Sequence, residues 1–170
     1  KLDITLSSDF DQKRAYWLKK PAEAVDGLAI SPDGDRVSFV ARGRVFVAPA
    51  KQGRLVEVTP EQGVRHRATA FIPRPQSEDP KSPGELLVIN DRSGETEFWT
   101  ISAAGPSASG SGPTQLTSEA QTLRWEGLPS PDGTVFAHHD KKQQLWITTI
   151  ADRRSTLVAT GRVDAFADLA

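Results

Sequence analysis

A tetrapeptide, Ser-Pro-Asp-Gly, occurs twice in this chain, at 31–34 and again at 130–133. Internal repeats constrain the fold of a chain more strongly than its composition does. The residues that follow the turn also recur, because segments 44–47 and 55–59 have counterparts 100 positions further along. Three matching segments separated from their copies by nearly the same number of residues indicate a duplicated structural unit.

A third copy of this unit lies between the first two. Segment 97–100 takes the place of 45–47, and segment 115–117 takes the place of 56–59. The repeat length is therefore about 50 residues, which is typical of β-propeller blades. In this middle copy, a charged, proline-rich insert at 74–84 replaces the turn, and a Gly/Ser/Pro-rich loop occupies 103–113.

Each unit contains four short segments with the alternation of a half-buried strand, bounded by Gly, Pro and Asp. The first unit has them at 27–30, 36–41, 45–49 and 54–58. In the repeated turn, Pro fixes φ, Asp can bond its own backbone, and Gly accepts a positive φ. We expect this turn to join the first strand of a blade to the second.

The sequence thus predicts an all-β fold of four-stranded antiparallel β-propeller blades, about three of them, in an incomplete ring. Propellers close with 4 to 8 blades, so we expect a piece of a larger ring, or completion by further copies or a partner chain. Unpaired terminal edges would also favour self-association. We divide one propeller domain into the end of a preceding blade with its connection (1–26), three blades (27–60, 61–119 and 120–161) and the first strand of another blade (162–170).

Composition excludes several classes of function. With 21 Lys and Arg against 22 Asp and Glu, the chain lacks the basic face that nucleic acid or an anionic membrane attracts. It has no cysteine, hence no disulfide framework and no cysteine nucleophile. No apolar run reaches the roughly 18 residues of a membrane span. The chain starts at Lys1 and has no methionine, so we expect a segment of a longer protein.

Motifs for catalysis or metal binding are weak. The nucleophile-elbow pattern Gly-x-Ser-x-Gly is absent, and the loop from Gly105 misses it by one residue. Neighbouring His138 and His139 would point to opposite faces of a strand and not share a metal. Asp9 and Asp11 lack the further ligands of a calcium loop. We predict no catalytic residue, no metal and no cofactor.

Aromatic residues recur at one place in the repeat, as Phe46, Trp99 and Trp146. We interpret them as core between neighbouring blades rather than as a platform for stacking bases.

The innermost strand of each blade lines a propeller channel. Aligning the repeats on the turn places Val25, Arg67 and Arg124 in one slot. The next slot then holds Asp26, Ala68 and Trp125. Arginines that face a channel would attract peptide carboxylates. The alternative is that these arginines form ordinary surface ion pairs with Glu126 or Asp26. The candidate peptide-channel residues are Arg67, Arg124, Trp125, His66 and Glu126.

Three stretches resemble one known family. The segment AISPDGDRVSFVARGRVFVAPAKQGRLVEVT (29–59) looks like a propeller blade of the tricorn proteases, and NDRSGETEFW (90–99) has the same appearance. RWEGLPSPDGTVFAHHDKKQQLWI (124–147) fits a following blade. Similar turns occur in the periplasmic propeller of the Tol system and in prolyl-oligopeptidase-type propellers. The run ARGRVFVAPA together with DRSGE favours the tricorn family.

The resemblance implies a large cytosolic serine peptidase that trims oligopeptides and assembles as an oligomer. In that family the propellers are thought to gate and channel peptides. The serine, its histidine and a PDZ module lie in separate C-terminal domains, so no catalytic position is carried over to this chain. Expected partners are peptides or unfolded polypeptide, the remaining blades and those domains, and the expected location is cytoplasmic, with periplasmic as the alternative. The competing interpretation is a stand-alone protein-interaction propeller like the Tol-system module.

Overall fold

Three antiparallel sheets of four strands follow one another along the chain in the computed structural model, which describes residues 14–74, 84–105, 112–118 and 122–161. Within each sheet, strands that are consecutive in sequence are hydrogen-bonded neighbours. This is the arrangement of propeller blades, and the predicted all-β fold is confirmed. The described part of the chain does not form a closed ring.

The strands are short and nearly equal in length, apart from the outermost strands of the first two blades. Blade 1 contains β1 (Val25–Ile30), β2 (Arg36–Ala41), β3 (Arg44–Pro49) and β4 (Val56–Glu57). Blade 2 contains β5 (His66–Ile72), β6 (Glu85–Asn90), β7 (Glu97–Ser102) and β8 (Thr114–Gln115). Blade 3 contains β9 (Arg124–Pro129), β10 (Val135–Asp140), β11 (Gln144–Thr149) and β12 (Ser155–Thr160). A short 3₁₀ helix, Pro21–Ala24, precedes β1.

The repeated turn adopts the same structure in blades 1 and 3. Ser31 Oγ lies 2.5 Å from Asp33 Oδ1, and this carboxylate accepts the backbone N–H of Asp35. Gly34 has φ = 72° and donates its N–H to the carbonyl of Ser31. The corresponding bonds recur from Ser130 onward. Because these bonds stabilise the charged carboxylate, they lower the pKa of Asp33.

Each blade has two faces, which we name from the chain order. The leading face is turned toward the preceding blade, and the trailing face is turned toward the following one. The trailing face of blade 1 packs on the leading face of blade 2 through one buried cluster: Val40, Val45, Val47, Val58, Phe71, Leu86, Val88, Trp99, Ile101 and Ala103. A second cluster joins blade 2 to blade 3: Ile72, Leu87, Ile89, Leu116, Phe98 and Phe136.

The central blade is covered on both faces, and its second strand shows this directly. Leu86 and Val88 contribute to the first cluster, whereas Leu87 and Ile89 contribute to the second. All four side chains are buried. A strand with two buried faces is apolar without interruption, which explains the sequence Leu-Leu-Val-Ile.

Aromatic residues at the repeated position lie on leading faces. Trp99 is buried in the cluster between blades 1 and 2, as the sequence predicts. Trp146 is cross-strand partner of His138, whose ring contacts Phe98 of blade 2. Phe46 stacks on Phe39 with ring centroids 5.4 Å apart.

Several predicted features lie partly or wholly outside the described residues. These are the first half of segment 1–26, including Asp9 and Asp11, most of the insert 74–84, much of the loop 103–113, and the further strand at 162–170.

The approach of blade 3 to blade 2 depends on Gly127, because a Cβ there would lie 2.5 Å from a ring carbon of Phe98 and 2.7 Å from Leu87. We expect Gly127→Ala to lower the free energy of unfolding by about 1–3 kcal/mol, the usual cost of overpacking. Gly112→Ala is the matched control, since a Cβ at Gly112 meets nothing within 4 Å. Urea unfolding of both variants tests this, and equal stabilities would contradict the packing described here.

Candidate functional site at the inner strands

The first strands of the three blades, β1, β5 and β9, lie side by side, with β1 against β5 and β5 against β9. Strands in this position are the ones nearest the axis of a propeller. Each of them contains a β-bulge near its N-terminal end, where its pairing with the second strand of the blade shifts by one residue. A bulge turns an extra side chain out of the ladder, so these ends are where the inner strands present exposed groups.

Because of these bulges, the equivalent positions of the three inner strands differ from those obtained by aligning the repeats on the turn. By register with the second strands, Val25, His66 and Arg124 are equivalent, because they pair with Ala41, Asn90 and Asp140. Gly27, Ala68 and Trp125 form the next set. The placement of Arg67 and Asp26 in these slots was therefore wrong. Counting residues back from the turn gives a wrong alignment because it ignores the extra residue at each bulge. In blade 3 this extra residue also lies one residue pair closer to the turn than in blades 1 and 2.

The bulged residues themselves are all charged. They are Asp26, Arg67 and Glu126, one in each blade, and all three are exposed. Glu126 has φ = 45°, in the left-handed region that non-glycine residues rarely adopt. The inner strands thus display acidic, basic and acidic side chains in that order. Of the predicted channel residues, Arg67 and Glu126 belong to this group.

His66 has a structural position between blades 1 and 2. Its side chain is buried, its Nδ1 lies 3.2 Å from the carbonyl of Gly43, and its Nε2 lies 3.3 Å from Asn90 Nδ2. If Nδ1 carries the proton and donates to Gly43, Nε2 accepts from the Asn90 amide. This neutral ring satisfies both nitrogens, and burial lowers the pKa of His66 accordingly. His66 ties the inner strand of blade 2 to a turn of blade 1 and is not an exposed channel residue.

Arg124 is likewise engaged within the protein. Its Nε lies 3.6 Å from Oε2 of Glu97, a fully buried carboxylate of blade 2 that also accepts a hydrogen bond from Thr117 Oγ1. Buried charges are tolerated when they are paired and hydrogen-bonded. The sequence suggested Glu126 or Asp26 as the partner of an arginine. The structure gives Arg124 a partner in the neighbouring blade, which no sequence pattern indicated.

Trp125, His139 and Glu126 form a group on the trailing face of blade 3. The rings of Trp125 and His139 are 5.7 Å apart, and His139 Nε2 lies 3.7 Å from Glu126 Oε2. Trp125 remains 37% exposed. Trp125 is therefore the accessible aromatic residue among the predicted channel residues.

His138 points to the opposite face, as expected for neighbours on a strand. It is buried against Phe98 and Phe136, with ring centroids 4.8 and 5.4 Å away. Its Nε2 lies 3.1 Å from Thr148 Oγ1, while Nδ1 has no hydrogen-bond partner. Burial, reinforced by the Arg124 charge, lowers the pKa of His138 to about 3. The ring is neutral at physiological pH and serves as core.

Among the described residues, no three His, Cys, Asp or Glu side chains come together in a way that could hold a metal ion. None of the helices in this part of the chain has the length and apolar character needed to cross a membrane.

Comparison with known proteins supports the β-propeller fold. A tricorn protease homolog of Saccharolobus solfataricus is 22% identical over 165 residues, which cover 96% of this chain and 13% of that protein. The crystal structure of the tricorn protease matches with TM-score 0.60 and 13% identity, and the match covers 84% of this chain and 12% of that one. The chain resembles a β-propeller segment of the tricorn proteases. The resemblance found in the sequence is confirmed.

Other propellers share the fold of this chain. A TolB-type protein from Agrobacterium tumefaciens matches with TM-score 0.60 and 15% identity, covering 81% of this chain and 46% of that one. The Cps50 (Swd1) β-propeller domain of Myceliophteria thermophila matches with TM-score 0.56 and 15% identity, covering 81% of this chain and 42% of that one. No protein-family model matches this chain.

The buried His138 makes stability depend on pH. In the unfolded chain this histidine gains a proton near pH 6.5, but in the folded chain only near pH 3. The unfolded state therefore binds more protons between these values, so the free energy of unfolding decreases as pH falls below 6.5. We expect His138→Phe to reduce the loss between pH 6.5 and 4.5 by up to about 3 kcal/mol.

Urea unfolding at several pH values, followed by tryptophan fluorescence, measures this difference. His66, whose pKa is also lowered by burial, is present in both proteins and makes the same contribution to the pH dependence of their free energies of unfolding. Parallel pH profiles of the two proteins would show that His138 is not held neutral by the fold.

Proposed function

We propose that this chain is a non-catalytic propeller segment of a larger tricorn-like serine peptidase, in which it guides oligopeptides toward an active site elsewhere in the protein. The observation that carries the proposal is the row of exposed charges on the three inner strands, Asp26, Arg67 and Glu126. The similarity to the tricorn protease homolog supplies the class of the whole protein.

Peptides suit this surface because their ends and side chains carry both signs of charge. Arg67 offers a planar guanidinium that binds carboxylates, while Asp26 and Glu126 lie on the adjacent inner strands. The half-exposed Trp125 adds an apolar surface beside Glu126. These contacts are few and solvated, so we expect each of them to contribute no more than about 1 kcal/mol. Weak contacts of this kind steer a peptide and still release it.

The other two candidate residues, His66 and Arg124, stabilise the inner strands and do not contact a peptide. His66 and Arg124 are engaged in bonds between neighbouring blades. We assign them to holding the inner strands in place, so the peptide-contacting set reduces to Arg67, Trp125 and Glu126, joined by Asp26.

A second candidate function is a protein-interaction propeller without an attached peptidase. The match to the TolB-type protein, whose TM-score equals that of the tricorn protease, favours it. The two candidates differ in the chemistry of the whole protein, since only the first requires hydrolysis of peptides that a serine-reactive inhibitor abolishes.

The test uses the complete protein that contains this chain, with fluorogenic peptides of different charge. We expect Arg67→Glu to raise KM for peptides with acidic residues up to about 5-fold, as loss of about 1 kcal/mol of binding requires, with kcat unchanged. Lys51→Glu, an exposed charge in the loop between β3 and β4, is the control and leaves KM unchanged. The same rise in both variants would reject a role for the inner strands.

Hydrolysis by the complete protein decides between the two functions. Inhibitor-sensitive cleavage that the 170-residue chain alone does not show supports the tricorn-like proposal. Absence of cleavage by the complete protein favours the binding propeller, and cleavage by the 170-residue chain itself would contradict its non-catalytic assignment.

A further inference from the structure

The outermost strand of blade 3, β12, is a long and exposed sheet edge. It forms the outer margin of its sheet and runs for six residues, Ser155–Thr160. The outermost strands of blades 1 and 2, β4 and β8, are only two residues long. Outermost strands point away from the axis of a propeller, whereas neighbouring blades pack on the faces of the sheet. The exposure of the β12 edge therefore does not depend on which blades precede or follow.

The β12 edge lacks most of the features that protect edge strands from pairing, which are shortness, charged residues and proline. Its sequence, Ser-Thr-Leu-Val-Ala-Thr, contains no charge and no proline. Leu157 and Val158 are 43% and 53% exposed. A bulge at Val158 interrupts the pairing with β11, so the regular part of the edge is the first half of the strand.

The backbone of this first half presents groups that can bind a further strand. The carbonyl of Arg154 accepts the N–H of Thr149 in β11 at 3.0 Å. Backbone groups of successive residues in an antiparallel strand point alternately toward and away from the partner strand. Those of Ser155 and Leu157 therefore point outward. Within the described ranges, no strand pairs with this side of β12, so an extended segment can add there as a fifth strand.

Two arginines at the start of β12 indicate the charge of such a segment. Arg153 and Arg154 are exposed, and no carboxylate of the described residues lies within ion-pair distance of either. Asp152 precedes them, so this turn keeps a net positive charge. A guanidinium binds a carboxylate through two parallel hydrogen bonds. A segment with acidic side chains at this end therefore complements the edge.

A second copy of β12 is a poorer match for this edge. Two-fold antiparallel pairing would bring the start of each strand opposite the end of the other. At that end, Gly161 donates its N–H to the carbonyl of Gln143. The exposed Lys141 and Lys142 precede Gln143 in the same turn. The two arginines of one copy would approach these lysines of the other, and like charges that face each other across paired strands are destabilising.

We propose that β12 is a docking edge for an extended, acidic segment of another polypeptide. Apolar or β-branched residues of the segment pair with 154–157, and its acidic residues lie beside Arg153 and Arg154. Main-chain hydrogen bonds to Ser155 and Leu157 provide the affinity, and the arginines provide the preference for acidic segments. The edge lies at the circumference of the propeller, away from the charges of the inner strands, so this inference is independent of the proposed peptide-guiding function.

Fluorescence anisotropy of labelled synthetic peptides tests the docking edge in the complete protein that contains this chain. The acidic probe is Thr-Val-Thr-Val-Glu-Glu, whose glutamates reach the start of β12 when it pairs antiparallel. The control probe is Thr-Val-Thr-Val-Lys-Lys. Both probes have blocked ends, and a serine-reactive inhibitor is present to prevent hydrolysis. We expect the acidic probe to bind about 10-fold more tightly than the control probe, because its carboxylates gain charge-assisted hydrogen bonds.

Substitutions at Leu157 separate the backbone of the edge from its side chains. Leu157→Pro removes an outward N–H without removing a bond to β11, so we expect it to weaken binding of the acidic probe about 5- to 10-fold. Leu157→Ala is the matched control, because it also removes the leucine side chain but keeps the N–H, and we expect it to bind like the unsubstituted protein. Circular dichroism of both variants shows whether the sheets are retained.

A double variant, Arg153→Glu with Arg154→Glu, tests the charge of the edge without altering β12 itself. We expect it to reverse the preference, so that the lysine probe binds more tightly than the acidic one.

Several results would overturn the proposal. They are absence of binding by the acidic probe, an unchanged preference in the double arginine variant, and equal affinities of Leu157→Pro and Leu157→Ala. Loss of binding in Arg67→Glu would show that the probe binds at the inner strands instead. Dimers of the complete protein that Leu157→Pro abolishes would show that a second copy occupies the edge. Either result would also overturn it.

Discussion

Everything in this structure depends on the need of a four-stranded sheet to cover both of its faces. A blade that alternates apolar residues on two sides cannot bury them alone, and it becomes stable only between neighbours. Blade 2 meets this condition, with Leu86 and Val88 toward one neighbour and Leu87 and Ile89 toward the other. Blades 1 and 3 meet it on one side each. This constraint explains why the buried clusters lie between the blades, and why apolar residues are exposed on the outer faces of blades 1 and 3.

Polar groups in the seams fix how the blades align. His66 connects Gly43 of blade 1 with Asn90 of its own blade, and Arg124 of blade 3 reaches the buried Glu97 of blade 2. Apolar faces can slide over one another with little loss of burial, whereas such directional contacts are lost when the register changes. We infer that these residues hold the inner strands of neighbouring blades in line.

Much of the fold was predictable because the repeat is explicit in the sequence. The turn at 31–34 and its copy at 130–133 have fixed chemistry, and period-two alternation located the four strands of the first blade within about two residues of their observed bounds. The site was predictable only in part. A bulge leaves no mark in residue counting, so Arg67 was placed in the slot of His66. The partner of Arg124 lies in another blade, and pairing across a seam requires the packing of two sheets to be known.

Amide hydrogen exchange tests the central claim, that the blades are stabilised by covering each other's faces, most directly. Protection reflects the free energy needed to expose each backbone bond. The account predicts that the amides of β6, at 86–89 in the blade covered on both sides, exchange most slowly, and that those of β2 and β10 exchange faster. Equal protection of β2, β6 and β10 would contradict it, because each blade would then be stable without its neighbours.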